Sequence, residues 1–264
     1  NKEKHASGRG TRVDITWSTI PGFDYVVEST DGFDPPAWAD LTGAITAVGA
    51  STSYADLTVG PIDGSTTTGR YYRIRMVADG SHSMNTAGVM MIQSCNATYK
   101  IAGVSLDPYT TDIQDLIGWQ LHGGNSDTSG DNISTWNGTG YDRSFLVDLD
   151  GNDEDNSAWD GDWYLVAGGL SDTIGHGEGF WMTTRVGTEY VWIEGEVPSM
   201  DVSVNLPASG QVLVAQPYPV SDDMNVAGAA GGGDNLGFLA SGGATGADSV
   251  AADTFAMRDC GAAY

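Results

Sequence analysis

Positive charge is scarce in this chain: 11 Lys+Arg stand against 35 Asp+Glu, a formal net charge of −24 over 264 residues, and Lys2, Lys4 and Lys100 are the only lysines. A field of that sign repels phosphates and anionic lipids, so neither nucleic acid nor a membrane surface is expected as a partner. Divalent cations and basic protein segments are favoured instead. Long apolar runs are also missing. No stretch approaches the ~20 residues that span a bilayer as a helix, and membrane insertion is not expected. No basic-then-apolar leader stands at the start, as expected for a chain whose export signal has been removed.

Cysteine is limited to Cys95 and Cys260. The pair is compatible with one disulfide, with two buried thiols or with a bond between subunits. Two isolated cysteines do not build a zinc site. The four histidines (His5, His82, His122 and His176) are scattered, with no H-E-x-x-H pair among them. No G-x-S-x-G elbow occurs, and carboxylates are too abundant to single out a glycosidase pair. The glycine turn Gly175-His176-Gly177-Glu178-Gly179 has no lysine and leads into FWMTT, which reads as a strand. It is therefore expected to be a turn, not a phosphate cradle at a helix N-terminus. Catalysis has no foothold, and a non-catalytic protein is expected.

What the chain does have suits an extracellular, all-β protein: abundant Gly, Ser, Thr, Asn and Asp for turns and short strands. VDITWS (13–18) and DYVVEST (24–30) alternate apolar and polar around the turn signal Pro21-Gly22. Further extended runs fall at 44–49, 53–59 and 70–78. In the last of these Tyr72, Ile74 and Met76 share one face, and Tyr71, Arg73 and Arg75 the other. Breakers separate the runs, and strands at this spacing predict an antiparallel sandwich.

The run from Trp17 through Tyr25, then Trp38 before Leu41, then RYYRIR (70–75) and NTAGVMMI (85–92) resembles a fibronectin type III-like module of large bacterial surface proteins. The resemblance implies a fibronectin III-like or immunoglobulin-like sandwich over 11–95. Residues 1–10 are too polar and glycine-rich for its first strand, so a sheet edge is expected to stand open to another chain. This N-terminal arm, with Arg12 just beyond it, carries Lys2, Lys4 and Arg9. Residues 1–12 hold four bases against one acid, net +3, and leave −27 on the rest. They form either a frayed end or an assembly arm that docks on the acidic body of a neighbouring copy.

Residues 96–264 contain an internal echo. One copy lies near 99–198, beginning YKIAGVSLDP, and the other near 211–264, beginning QVLVAQPYP. Each shows an apolar strand, a short acidic segment, a glycine turn, and then Asp131 or Asp248 before a strand closed by an aromatic. With the GEGFW turn between them, the layout resembles a duplicated β-module of bacterial surface proteins and implies a second, duplicated β-sandwich-like domain without a catalytic role. The second copy lacks counterparts of the strands that complete the first. Either the second half has diverged or been trimmed, or neighbouring subunits complete its sheets by strand complementation.

Asp148, Asp150, Asp153 and Asp155 head a run of seven acids over 148–162 with no base among them. Carboxylates spaced two or three apart on a turn suit Ca²⁺, which takes six to eight oxygen ligands, although Gly151 stands too early for an EF-hand. A solvated acidic loop is the alternative. Trp159 and Trp163 bracket that loop, and Trp119 and Trp136 flank a Gly/Asn-rich loop; such rings either fill the core or stack on sugars. Asn96, Asn132 and Asn137 head glycosylation sequons at about the frequency chance predicts. The expectation is a structural subunit of an extracellular filament, tube or surface layer, with copies of itself as partners, strand pairing and Ca²⁺ as its means of assembly, and glycan adhesion as the rival function.

Overall fold

The computed structural model describes residues 12–33, 35–59, 69–94, 96–117, 120–148, 163–165, 173–185, 187, 190–199, 213 and 215. Its strands pair antiparallel, and the fold is all-β and sandwich-like, as the sequence pattern predicts.

β1 (Val13–Ser18) and β5 (Ser51–Asp56) form a two-stranded sheet with Val13 opposite Asp56 and Ser18 opposite Ser51. Period-two alternation sends Ile15 inward with Val13 and Trp17, while Asp14, Thr16 and Ser18 face solvent. Facing it is a larger sheet in the order β3 (Ala39–Asp40), β2 (Asp24–Thr30), β6 (Gly69–Met76), β7 (Ala87–Gln93), β14 (Tyr190–Glu196), β9 (Asp107–Pro108). The short β4 (Ile45–Thr46) shares the outer edge of β2 with β3. The run 44–49 thus contributes only two strand residues, because Ala47 and Ala50 turn away to hydrogen-bond the 19–23 loop. A third sheet has the order β12 (Trp163–Leu165), β11 (Tyr141–Leu146), β10 (Asn132–Trp136), β13 (Gly179–Thr183), β8 (Lys100–Gly103).

Two apolar cores result. The first gathers Ile15, Tyr25, Val27, Tyr72, Ile74 and Val89 between the first two sheets. The second gathers Val104, Ile113, Leu116, Ile117, Ile133, Leu146, Phe180 and Met182 beside the third sheet. It includes the one short helix described, α1 (Ile113–Leu116), whose N-cap Asp112 accepts from the backbone N–H of Asp115 at 3.1 Å.

The two cores share a wall. β14, drawn from the C-terminal part of the chain, pairs with β7 along its whole length, from Tyr190 opposite Gln93 to Glu196 opposite Ala87. Trp192 turns into the first core while Val191 and Ile193 turn into the second; Val89 and Ile92 divide in the same way on β7. Strands buried on both faces read as unbroken apolar runs, as in VMMI (89–92) and VWI (191–193). Burying Val191 and Ile193 fully contributes about 1.5–3 kcal/mol each. Hydrogen bonds therefore cross the sequence boundary at 95/96. The connection there is pinned as well: Ser94 and Thr184 hydroxyls meet at 2.9 Å, and Ala97 N–H donates to the Thr184 carbonyl at 2.7 Å.

Candidate functional site

The surface that stands out lies on the β1–β5 sheet. Among the described residues, β1 and β5 pair only with each other, and no third strand lies along the outer edge of either. Natural edge strands are blunted by lysine, proline or inward charge. VDITWS and STSYAD contain neither lysine nor proline. The exposed Asp14 is paired with Arg12 at 2.8 Å, and Asp56 is buried and occupied elsewhere. On the solvent face Thr16 stands opposite Ser53, and Ser18 opposite Ser51, all small and uncharged. Glu194 lies on an exposed part of β14, yet the protein crowding its carboxyl group, and after that the charge of Asp14, push its pKa up.

At the Ser18 end of β1 the chain makes an ordered, apolar pole. Pro21-Gly22 turns with Gly22 at φ +86°, the left-handed region that glycine enters without strain. The loops 19–23 and 47–50 are then fastened to each other. Gly22 N–H donates to the Ala47 carbonyl at 2.8 Å, Ala47 N–H to Phe23 at 2.9 Å, and Thr19 N–H to Ala50 at 3.0 Å. The Tyr25 hydroxyl accepts from Ile20 N–H at 2.9 Å. This scaffold holds Ile20, Phe23 and Val48 out to solvent, with Val48 94% exposed; Val77 follows beside Asp24, whose carbonyl accepts from its N–H.

The acids of the first sandwich are consumed by their neighbours, Glu28 on the outer face of β2 and Asp56 in the interior. Glu28 is buried and accepts from Arg73 Nε and Arg75 Nε at 2.6 Å each, with His82 Nε2 at 3.2 Å. Burial raises the Glu28 pKa, but the hydrogen bonds from Arg75 and Arg73 and the charge of Arg73 outweigh it and hold it below 4.5. Arg73 also lies 4.3 Å from the Trp38 ring centre. Asp56 accepts from Thr58 N–H at 2.8 Å, Tyr72 Oη at 2.9 Å and Arg70 Nη1 at 3.3 Å. Its pKa is likewise lowered, because these donors outweigh burial, while burial foremost pushes the Tyr72 phenol far up. Arg70, Arg73 and Arg75 are each engaged with acids, so β6 offers no basic patch.

The Asp131 singled out by the internal echo is an internal anchor. It is 0% exposed, and its carboxylate accepts from His122 N–H at 2.7 Å and Arg185 N–H at 2.6 Å. Gly124 makes the tight loop before it feasible, since a Cβ there would sit 2.3 Å from the Gly130 nitrogen. Gln120, which the sequence reading passed over, grips one edge of β14 with both ends of its amide: Oε1 accepts from Trp192 N–H at 2.8 Å and Nε2 donates to the Trp192 carbonyl at 2.9 Å. The starts of the two echo copies meet at the glycine turn, where Ala215 N–H donates to Gly177 at 2.9 Å, Gly179 N–H donates to Leu213 at 3.1 Å and Gly103 leaves room for Ala215. On the outer face of the third sheet, Tyr99, Trp181, Tyr141 and Trp136 form a row of edge-on ring contacts at 6.4, 6.5 and 4.9 Å.

Of the four carboxylates expected to hold Ca²⁺, Asp148 is half-buried, its N–H donating to the Gly124 carbonyl at 3.0 Å. Asp150, Asp153 and Asp155 lie outside the described residues, as do Lys2, Lys4, Arg9, Cys95, Cys260, Trp119 and Trp159. Among the described residues no group of three metal-ligating side chains occurs, and no helix is long and apolar enough to cross a membrane. Arg12, expected to reach a neighbouring subunit, pairs with Asp14 two residues on. Asn132 is 0% exposed with its Nδ2 donated to the Asp127 and Gly130 carbonyls, so the folded chain withholds that sequon from glycosylation. No protein-family model matches this chain, and no curated protein or solved structure matches it.

Proposed function

We propose that this chain is a non-catalytic structural subunit of an extracellular filament, tube or surface layer, assembled by β-strand pairing between copies. The observation that carries the proposal is the pair of edges on the β1–β5 sheet, which among the described residues pair with no further strand and carry neither lysine nor proline. Strand addition at such an edge satisfies backbone groups along its length and needs no catalytic or cofactor chemistry. Asp14 and Glu194 beside that edge favour an incoming basic segment, and the Lys2, Lys4 and Arg9 arm of a neighbour has the complementary sign. Ca²⁺ held by Asp148, Asp150, Asp153 and Asp155 would screen a net charge that otherwise drives copies apart. The fibronectin III-like resemblance over 11–95 and the duplicated β-module over 96–264 belong to the same reading.

Negative-stain microscopy and sedimentation velocity on the full chain, with and without a chelator, test it. Polymers are expected, weaker under chelation. Monodisperse monomers in both conditions overturn it. Thr16→Lys, which restores an edge guard at an exposed position, should weaken association about tenfold, roughly 1.4 kcal/mol.

A second reading, a glycan-binding adhesin module, is favoured by the Tyr99–Trp181–Tyr141–Trp136 row, in which Tyr141 is exposed. Aromatic faces stack on pyranose rings while flanking polar groups orient them. A glycan array tests it, and Trp136→Ala should abolish any signal.

A further inference from the structure

We infer that the apolar pole formed by Ile20, Phe23 and Val48, with Val77 at its margin, is a contact surface for a second copy of this chain. The inference rests on the assembly reading above and says where, besides the strand edge, two copies touch. Three large apolar side chains stand exposed on two loops that hydrogen-bond each other, and Val77 stands exposed on a third turn bonded to Asp24, a grouping unlike the scattered exposed apolar residues of ordinary surfaces.

Charge decides the occupant. Two copies that each carry −24 repel wherever their acidic surfaces meet. Residues 15–23 and 41–55 contain no charged side chain, and folding lays these two stretches side by side. Asp24, which follows Phe23 directly, has its carboxylate engaged, accepting from the Thr46 hydroxyl at 2.6 Å. The pole is therefore a place where like-charged copies can approach without burying unpaired carboxylates. A basic partner would find no countercharge there to select it.

The backbone under the patch is already ordered. The hydrogen bonds between the 19–23 and 47–50 loops, and from Ile20 N–H to Tyr25 Oη, fix the apolar side chains before contact, which lowers the entropy lost on binding. The pole also continues β1, since Ser18 leads directly into Thr19 and Ile20. One neighbour can therefore pair with the edge and cover the pole together, and burying both adds apolar area to a strand contact that is otherwise polar.

Val48→Asp in the full-length chain tests the inference by sedimentation velocity over a concentration series, with Met84→Asp as control. Met84 is 97% exposed on the β6–β7 connection, so neither change should disturb folding. Wild type and Met84→Asp should self-associate alike, and Val48→Asp should raise the association midpoint at least tenfold. Unchanged association of Val48→Asp overturns the pole as a contact; if Thr16→Lys still weakens that association, strand pairing stands and only the pole fails. A wild-type chain that stays monomeric overturns both. A monomeric wild type that binds neutral phosphatidylcholine vesicles through Val48 overturns the second copy in favour of a lipid surface.

Discussion

The two cores are held shut by different means. The first is enclosed by strands whose charges are spent within the fold: Glu28 between Arg73 and Arg75 on the outer face, and the buried Asp56 with Tyr72 and Arg70. The second lies between the third sheet and the far face of β7 and β14, and much of it comes from the mostly irregular segment 104–117. There buried polar side chains hold backbone in place, Asp131 gripping His122 and Arg185, and Gln120 gripping Trp192. A core closed by sheets needs few such anchors, because strand ladders satisfy its backbone. A core built partly from irregular chain must satisfy the same groups one at a time. The shared wall of β7 and β14 makes each core depend on the other.

Breaking that wall should have the largest effect. Ile193→Ala, made on the second-core face of that wall, should cost about 2–5 kcal/mol in urea unfolding, and it should raise hydrogen exchange at Ile15 and Val27 in the first core, on the other side of the wall. Protection at those residues as in the wild type would mean the cores are independent. Asp131→Ala should cost about 3 kcal/mol, since two buried N–H groups lose a charged acceptor. The loss should appear first as hydrogen exchange in 120–131 and at Arg185, leaving β1 and β5 protected. Gln120→Ala should cost about 1–2 kcal/mol by the same measurement, with new exchange at Trp192 N–H.

Acid should act on the first core with the smallest effect. Glu28 and Asp56 have folded pKa values below their ordinary 4.5 and 3.8. Each therefore stabilises the fold fully above its ordinary value, and the contribution is lost as pH falls from there through the folded value. Urea midpoints should be flat above about pH 5 with respect to these groups and should decline below it. Glu28→Gln should flatten part of that decline; a slope identical to wild type would show Glu28 uninvolved.

Much of the fold was legible in local pattern. VDITWS and DYVVEST became β1 and β2 residue for residue, and the division of Tyr72, Ile74 and Met76 from Tyr71, Arg73 and Arg75 is the division between core and outer face. The pairing of β14 with β7 was not legible, though a signal existed. VMMI and VWI are unbroken apolar runs, the mark of a strand covered on both sides, but a run does not name its partner across about 100 intervening residues. Asp131 was visible as a repeated letter; that it is an anchor and not a ligand became clear only from its donors. The apolar pole was invisible, because Ile20, Phe23 and Val48 come from two separate turns and look like ordinary loop residues.

Residue order alone settled the class of the protein: alternation with period two and frequent breakers permit strands and little else. Only folding decided which strand ends remain unpaired, which acids are consumed inside, and that two neutral loops meet at one end of a strongly acidic molecule. Strand identity is a property of neighbours within a few residues, whereas an edge, an anchor or a patch is defined by what lies across the fold.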